Sequence, residues 1–282
     1  MPPLTVSSYQ FHYQQWGDRS QPTLLFLHGF MGRGDDFATI IASLGDRFNC
    51  LTLDLPGHGQ TQVIGDESHY GMPQTAAGII RLLDGLDIQQ CGLFGYSMGG
   101  RLALYLALHF PNRFTWVVLE SASPGLETAG ERQERSHRDV QLAQELETGD
   151  FRAFLSRWYD QPLFASLKAH PAFATMYQRR LTNRPKELAR SLRHAGTGRQ
   201  PSLWSRLADC RIPLHLLVGD RDEKFCAINR RMAQCCPAAQ LHLLPELGHN
   251  LHLEDPQRVA ALMSHRGSGV ELLLDGAELF EP

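Results

Sequence analysis

Gly95-Tyr96-Ser97-Met98-Gly99-Gly100 is the stretch on which the reading of this chain turns. An apolar run at residues 92–96 leads into it with the character of a buried strand. A helical pattern at 100–109 leads out of it and stops before Pro111. A G-x-S-x-G pentapeptide between a strand and a helix is a sharp turn that lifts a serine hydroxyl clear of the backbone. Small residues at 95 and 99 are needed because the turn leaves no room for side chains there. A serine hydroxyl is a weak nucleophile or base by itself, so the turn implies an oriented histidine elsewhere in the chain.

Further out, apolar runs at 24–28, 50–54, 114–120, 213–219 and 240–245 alternate with helical stretches such as 75–85. That alternation predicts an α/β protein with a mainly parallel sheet, its strands covered by helices on both faces. Asp222 falls at the end of the 213–219 strand, in Gly219-Asp220-Arg221-Asp222. His249 falls in the loop after the last strand, in Leu247-Gly248-His249-Asn250. The order Ser97, Asp222, His249 is the chain order of the α/β-hydrolase fold, which is the expected architecture. Asp220 is the rival acid and His252 the rival histidine. His28-Gly29-Phe30, after the first clear strand, matches the loop that supplies one oxyanion donor. The Phe30 and Met98 amides are therefore the expected oxyanion hole. The loop Asp54-Leu55-Pro56-Gly57-His58-Gly59 reads as structural.

Between 126 and 206 the pattern becomes helical throughout, with Pro162, Pro171, Pro185 and Pro201 at the connections. This predicts a helical cap inserted into a core formed by 1–125 and 207–265, followed by a 266–282 tail. The last helix, beginning near Pro256, is expected to stop at His265, before Gly267, Ser268 and Gly269. The cap carries 14 Lys and Arg against 9 Asp and Glu, whereas the remainder carries 13 against 21. A basic cap is either a solvated surface or the roof over an anionic substrate. The net charge of −3 argues against a dedicated nucleic-acid binder. No apolar stretch is long enough to span a bilayer, and residues 1–15 lack the pattern of a signal peptide. A cytoplasmic location without membrane attachment is the expectation. The six cysteines show no zinc-type spacing, so reduced structural thiols, no metal and no cofactor are expected.

Four stretches carry a closer likeness. These are Gly95-Tyr96-Ser97-Met98-Gly99-Gly100-Arg101, the Ser123-Pro124-Gly125-Leu126 lead into Glu131-Arg132-Gln133-Glu134-Arg135, Trp158-Tyr159-Asp160-Gln161-Pro162-Leu163-Phe164, and Gly219-Asp220-Arg221-Asp222-Glu223-Lys224-Phe225. Over residues 24–256 the chain resembles the 2-succinyl-6-hydroxy-2,4-cyclohexadiene-1-carboxylate synthases of menaquinone and phylloquinone biosynthesis. The elbow with its following arginine and the W-Y-x-Q-P-x-F segment are the most discriminating stretches. The resemblance implies a small polycarboxylate substrate and elimination of pyruvate without net hydrolysis. It also implies Arg101, Arg135 and Arg180 as carboxylate clamps, with Tyr96 and Trp158 lining the pocket. Arg132 and Arg179 remain rivals for the second and third clamps. Arginine forks suit such a ligand because they bind carboxylates bidentately. Arg101 lies one helical turn from Ser97, which brings it near the nucleophile.

The elbow and the acid–histidine pair are equally compatible with a serine hydrolase of a small carboxylated ester or C–C bond substrate. A ligand-sensing protein on the same scaffold is a further reading, although such receptors close over apolar ligands and this cap is basic.

Overall fold

The computed structural model describes residues 3–264. Ten strands and eleven α-helices occur in this span. The strands are β1 Leu4–Val6, β2 Tyr9–Phe11, β3 Tyr13–Trp16, β4 Thr23–Leu27, β5 Asn49–Leu53, β6 Gln62–Val63, β7 Cys91–Tyr96, β8 Phe114–Glu120, β9 Leu214–Gly219 and β10 Ala239–Leu244. The helices are α1 Ala38–Leu44, α2 Met72–Gly85, α3 Met98–His109, α4 Ala129–Thr148, α5 Phe151–Tyr159, α6 Ala165–Ala169, α7 Ala172–Arg180, α8 Pro185–Ala195, α9 Glu223–Cys235, α10 Leu251–Glu254 and α11 Pro256–Ser264. The expected helix end at His265 and the 266–282 tail lie outside the described residues.

Seven strands form the central sheet in the order β10-β9-β8-β7-β4-β5-β3, parallel throughout except for β3, which runs antiparallel to β5. The pleat sorts each strand between two cores. Leu25, Leu27, Leu93 and Val117 meet α2 and α3 on one face. Leu24, Phe26, Phe94 and Val118 meet α1 and α11 on the other. Burial on both faces explains why these strands read as continuous apolar runs.

The sequence reading did not anticipate β1, β2 and β3. They are three or four residues long and include Gln10, Gln14 and Gln15, so periodicity has nothing to act on. With β6, β1 and β2 make a small antiparallel sheet. The loop after β5 is a structural knot: the Asp54 carboxylate accepts from the Gly34 and Gln60 amides and meets His12 Nδ1 at 2.9 Å.

Between β8 and β9 the chain forms only helices, α4 to α8 with short 3-10 turns. They share a third apolar cluster, which includes Leu146, Leu155, Met176, Leu188 and Leu192, and which also takes in Met31 and Leu253 from the sheet-bearing part. The insertion therefore packs over the carboxyl ends of β4 and β10, on the side of the sheet where open α/β folds place their ligands. Among the described residues no helix is long and apolar enough to cross a membrane.

Candidate active site

Ser97 joins β7 to α3 with φ 49° and ψ −105°, a region that L-residues rarely occupy. Two backbone bonds pin it there: its N–H donates to the Glu120 carbonyl at 2.8 Å, and its carbonyl accepts from the Arg101 N–H at 3.0 Å. The turn closes only on glycine. A Cβ on Gly99 would stand 2.1 Å from the Leu27 carbonyl oxygen, and one on Gly95 would stand 2.6 Å from the Gly99 carbonyl oxygen.

The other two members of the constellation come from neighbouring strand ends. The His249 Nδ1–H faces Asp222 Oδ2 at 2.5 Å, which leaves Nε2 to accept from the Ser97 hydroxyl at 3.1 Å. Both side chains of the acid–imidazole pair are 2 % exposed. Asp222 is held from its other oxygen by the Phe225 N–H as it caps α9. The rivals are occupied elsewhere. Asp220 accepts from the Glu246 amide, and His252 is buried against Glu120 at 2.8 Å. Tyr96 stands between the two histidines, with ring centroids 5.5 Å from His249 and 4.8 Å from His252. Burial pushes its phenol well above the usual value, so it stays neutral. Phe225 and Phe164 pack on the His249 ring at 4.6 and 6.0 Å.

Ser97 and His249 open onto a cavity of about 600 Å³ between the sheet and the helical insertion. Phe30 and Met98 both line it, and Met98 begins α3, where first-turn N–H groups have no helical acceptor. Trp158 forms part of the roof, stacked on Phe154 and 5.4 Å from the Phe30 ring.

The arginines separate by their partners. Arg135 and Arg180 line the cavity. Their rivals turn away: Arg132 donates to the Leu126 and Glu127 carbonyls, and Arg179 to the Asp35 carbonyl. Arg180 is buried and already matched, with 3.0 and 2.7 Å contacts to the two oxygens of Asp36 and one to the Tyr159 hydroxyl. Burial opposes ionisation of Asp36, but Arg180 and Arg179 outweigh it and hold that carboxyl down at about 2. Arg135 gives its Nε to Asp139 at 2.7 Å. Arg101 differs from both. Its Nη1 donates to the Ala195 carbonyl at 3.2 Å and to Gln200 Oε1 at 2.9 Å, two neutral acceptors. Desolvation in the wall, with repulsion from Arg135, brings its pKa down to about 10.

Sequence reasoning missed Asp36 and Gln200. Asp36 and Gln200 meet their arginines across 144 and 99 residues, and no local signal marks either pairing. Phe164 lay within the quoted cap segment, which was the available clue.

Sequence and structure comparisons agree with this fold. The family profile described as alpha/beta hydrolase fold matches residues 22–256. A Bacillus subtilis (strain 168) protein provisionally named as a 2-succinyl-6-hydroxy-2,4-cyclohexadiene-1-carboxylate synthase is 36 % identical over 264 residues, 93 % of this chain and 96 % of that protein. The synthase of that name from Escherichia coli O1:K1 / APEC is 34 % identical over 88 % of this chain and 94 % of its own length. The structure of MenH from S. aureus superposes with a TM-score of 0.85 at 34 % identity, covering 89 % of this chain and 96 % of that one. By the extent of these likenesses the chain belongs to the 2-succinyl-6-hydroxy-2,4-cyclohexadiene-1-carboxylate synthase family, within the α/β-hydrolase fold.

Proposed function

We propose that this chain is a carbon–oxygen lyase that eliminates pyruvate from 2-succinyl-5-enolpyruvyl-6-hydroxy-3-cyclohexene-1-carboxylate, giving the cyclohexadiene of menaquinone or phylloquinone biosynthesis. The observation that carries the reading is the pairing of an Asp222–His249–Ser97 relay with the unmatched Arg101 guanidinium on one cavity wall. A hydrolase of uncharged esters has no use for such a cation, whereas a substrate with three carboxylates supplies its missing partner.

In this mechanism His249, held in one tautomer by Asp222, polarises the Ser97 hydroxyl. The serine oxygen removes the ring proton next to the succinyl carbonyl. The C–H electrons form a ring double bond to the adjacent carbon, the existing double bond shifts by one position, and the C–O bond to the enolpyruvyl group breaks. Enolate charge that gathers on the succinyl oxygen is met by the Phe30 and Met98 amides. The abstracted proton passes to His249 and on to the departing pyruvate. No acyl-enzyme forms and no co-reactant is consumed. Arg101, Arg135 and Arg180 face the substrate carboxylates; Arg135 and Arg180 share their charge with Asp139 and Asp36, whereas Arg101 is held by neutral acceptors.

The test is a turnover assay that follows diene absorbance and free pyruvate together. Equimolar release is expected from the wild type. Ser97→Ala should lower kcat at least about 1000-fold. Arg101→Ala should lower kcat/KM about 10- to 100-fold, the cost of one charge-assisted contact. A folded protein that cleaves simple esters but releases no pyruvate would move the function to a serine hydrolase of a small carboxylated substrate.

A further inference from the structure

Two arginines on the same cavity wall have opposite electrostatic fates, and the difference lies in what stands behind each. Behind Arg180 stands Asp36, with both oxygens engaged. Behind Arg101 stand the last carbonyl of α8, at Ala195, and the side chain of Gln200. A helix C-terminus carries partial negative charge and suits a cation without cancelling it.

Gln200 is 1 % exposed and sits in the turn that follows α8, where its N–H bonds to the Gly196 carbonyl at 3.2 Å. Its side chain lies against Gly125, whose φ of 91° and missing Cβ make the space: a Cβ there would come within 3.0 Å of Gln200 Nε2. The amide orientation is fixed by chemistry, because guanidinium only donates and so the atom facing Arg101 must be oxygen. The turn is itself fastened to α4. The Gly198 N–H points at Asp139 Oδ2 at 3.4 Å, and Asp139 Oδ1 takes Arg135.

We infer that Gln200 is a specificity-determining positioning residue: it aims the Arg101 guanidinium into the cavity with a neutral acceptor, so that the arginine keeps its charge for a substrate carboxylate. The inference rests on Arg101 acting as a carboxylate clamp. It adds that the identity of residue 200, through charge as well as shape, sets how strongly the site holds a polyanion. A glutamate at 200 would hold Arg101 at least as firmly as glutamine does, and would neutralise it as Asp36 neutralises Arg180.

That contrast separates charge from mere support. In the full-length protein, Gln200→Glu, Gln200→Met and Arg101→Ala would be compared for KM and kcat with the enolpyruvyl cyclohexene substrate, and for competitive inhibition by tricarballylate. Thermal melts would check folding. Gln200→Glu is expected to raise KM and the tricarballylate inhibition constant about 10- to 100-fold, the range of one charge-assisted contact, with kcat changed much less. Gln200→Met, which loses the aim but leaves the charge, is expected to raise both about threefold to tenfold. Wild-type constants for Gln200→Glu beside a weakened Arg101→Ala would overturn the role of Gln200 while leaving the clamp intact. Equal or larger losses in Gln200→Met than in Gln200→Glu would overturn the charge argument. Should Gln200→Glu fail to fold, wild-type constants in Gln200→Met would overturn the proposal by themselves. Unchanged constants in Arg101→Ala would overturn both the clamp and the proposal built on it.

Discussion

Ser97 is held in a backbone conformation that glycine accepts freely and serine does not. With φ 49° and ψ −105° it carries strain on the order of 1–3 kcal/mol. The surroundings impose this strain: β7 and β8 fix its N–H side, α3 fixes its carbonyl side, and Gly99 abuts the Leu27 carbonyl so closely that the turn cannot relax. Ser97→Gly removes the strain but adds the chain entropy of an extra glycine, about 0.5–1 kcal/mol. The net expectation is a protein stabilised by about 1 kcal/mol and devoid of pyruvate release. Urea unfolding beside the turnover assay would check it, and a destabilised Ser97→Gly would show that the elbow is not strained.

At the scale of elements, the loop after β4 is tied to α7 by Asp36 and Arg180. This tie crosses from the sheet to the helical insertion. Because the Asp36 carboxyl is held at about 2 against an ordinary value of 3.8, its contribution is fully present above about pH 4 and is lost as pH falls through about 2. In Asp36→Asn that acid-sensitive contribution is absent, and Arg180 is left buried beside a neutral amide. A loss of about 3 kcal/mol or more at neutral pH is expected, and it should shrink below about pH 3. Paired denaturant titrations at pH 7 and pH 3 would measure both. Elements of this kind also mark the limit of what the sequence could tell. The strands β4, β5, β7, β8 and β9 are legible because burial on both faces writes them as mainly apolar runs. Ser97 and Asp222 are legible because each follows such a strand, and His249 because it follows β10, in a fixed order. Asp36 and Gln200 are not, since their meaning is a partner brought close only by folding. The same holds for β1 to β3, whose pairing with distant segments outweighs their weak local preference.

In the whole molecule the sheet provides the cavity floor and the helices between β8 and β9 provide its roof, and one carboxylate spans the two. Glu254 is 8 % exposed; its Oε2 accepts from the Gly248 N–H at 2.7 Å and from the Ser166 hydroxyl of α6 at 2.6 Å, and its Oε1 from the Asn250 N–H at 3.4 Å. The amides on either side of His249 and the underside of the insertion thus share a single acceptor. A carboxylate suits the place because every group facing it donates, while a glutamine would turn one donor toward another. Glu254→Gln is therefore expected to destabilise the protein by about 1.5–3 kcal/mol, the range for hydrogen bonds to a charged group. It should also lower kcat by about tenfold or more, because a small displacement of His249 breaks its alignment with Ser97. Ser166→Ala severs only the link to the roof, and should cost about 1 kcal/mol with a much smaller change in kcat. The comparison has a definite reading. If Ser166→Ala lowers kcat as far as Glu254→Gln does, the imidazole is held in place by the insertion pressing down on it. If only Glu254→Gln does so, the histidine loop is positioned from within the core, and the roof serves to enclose the substrate.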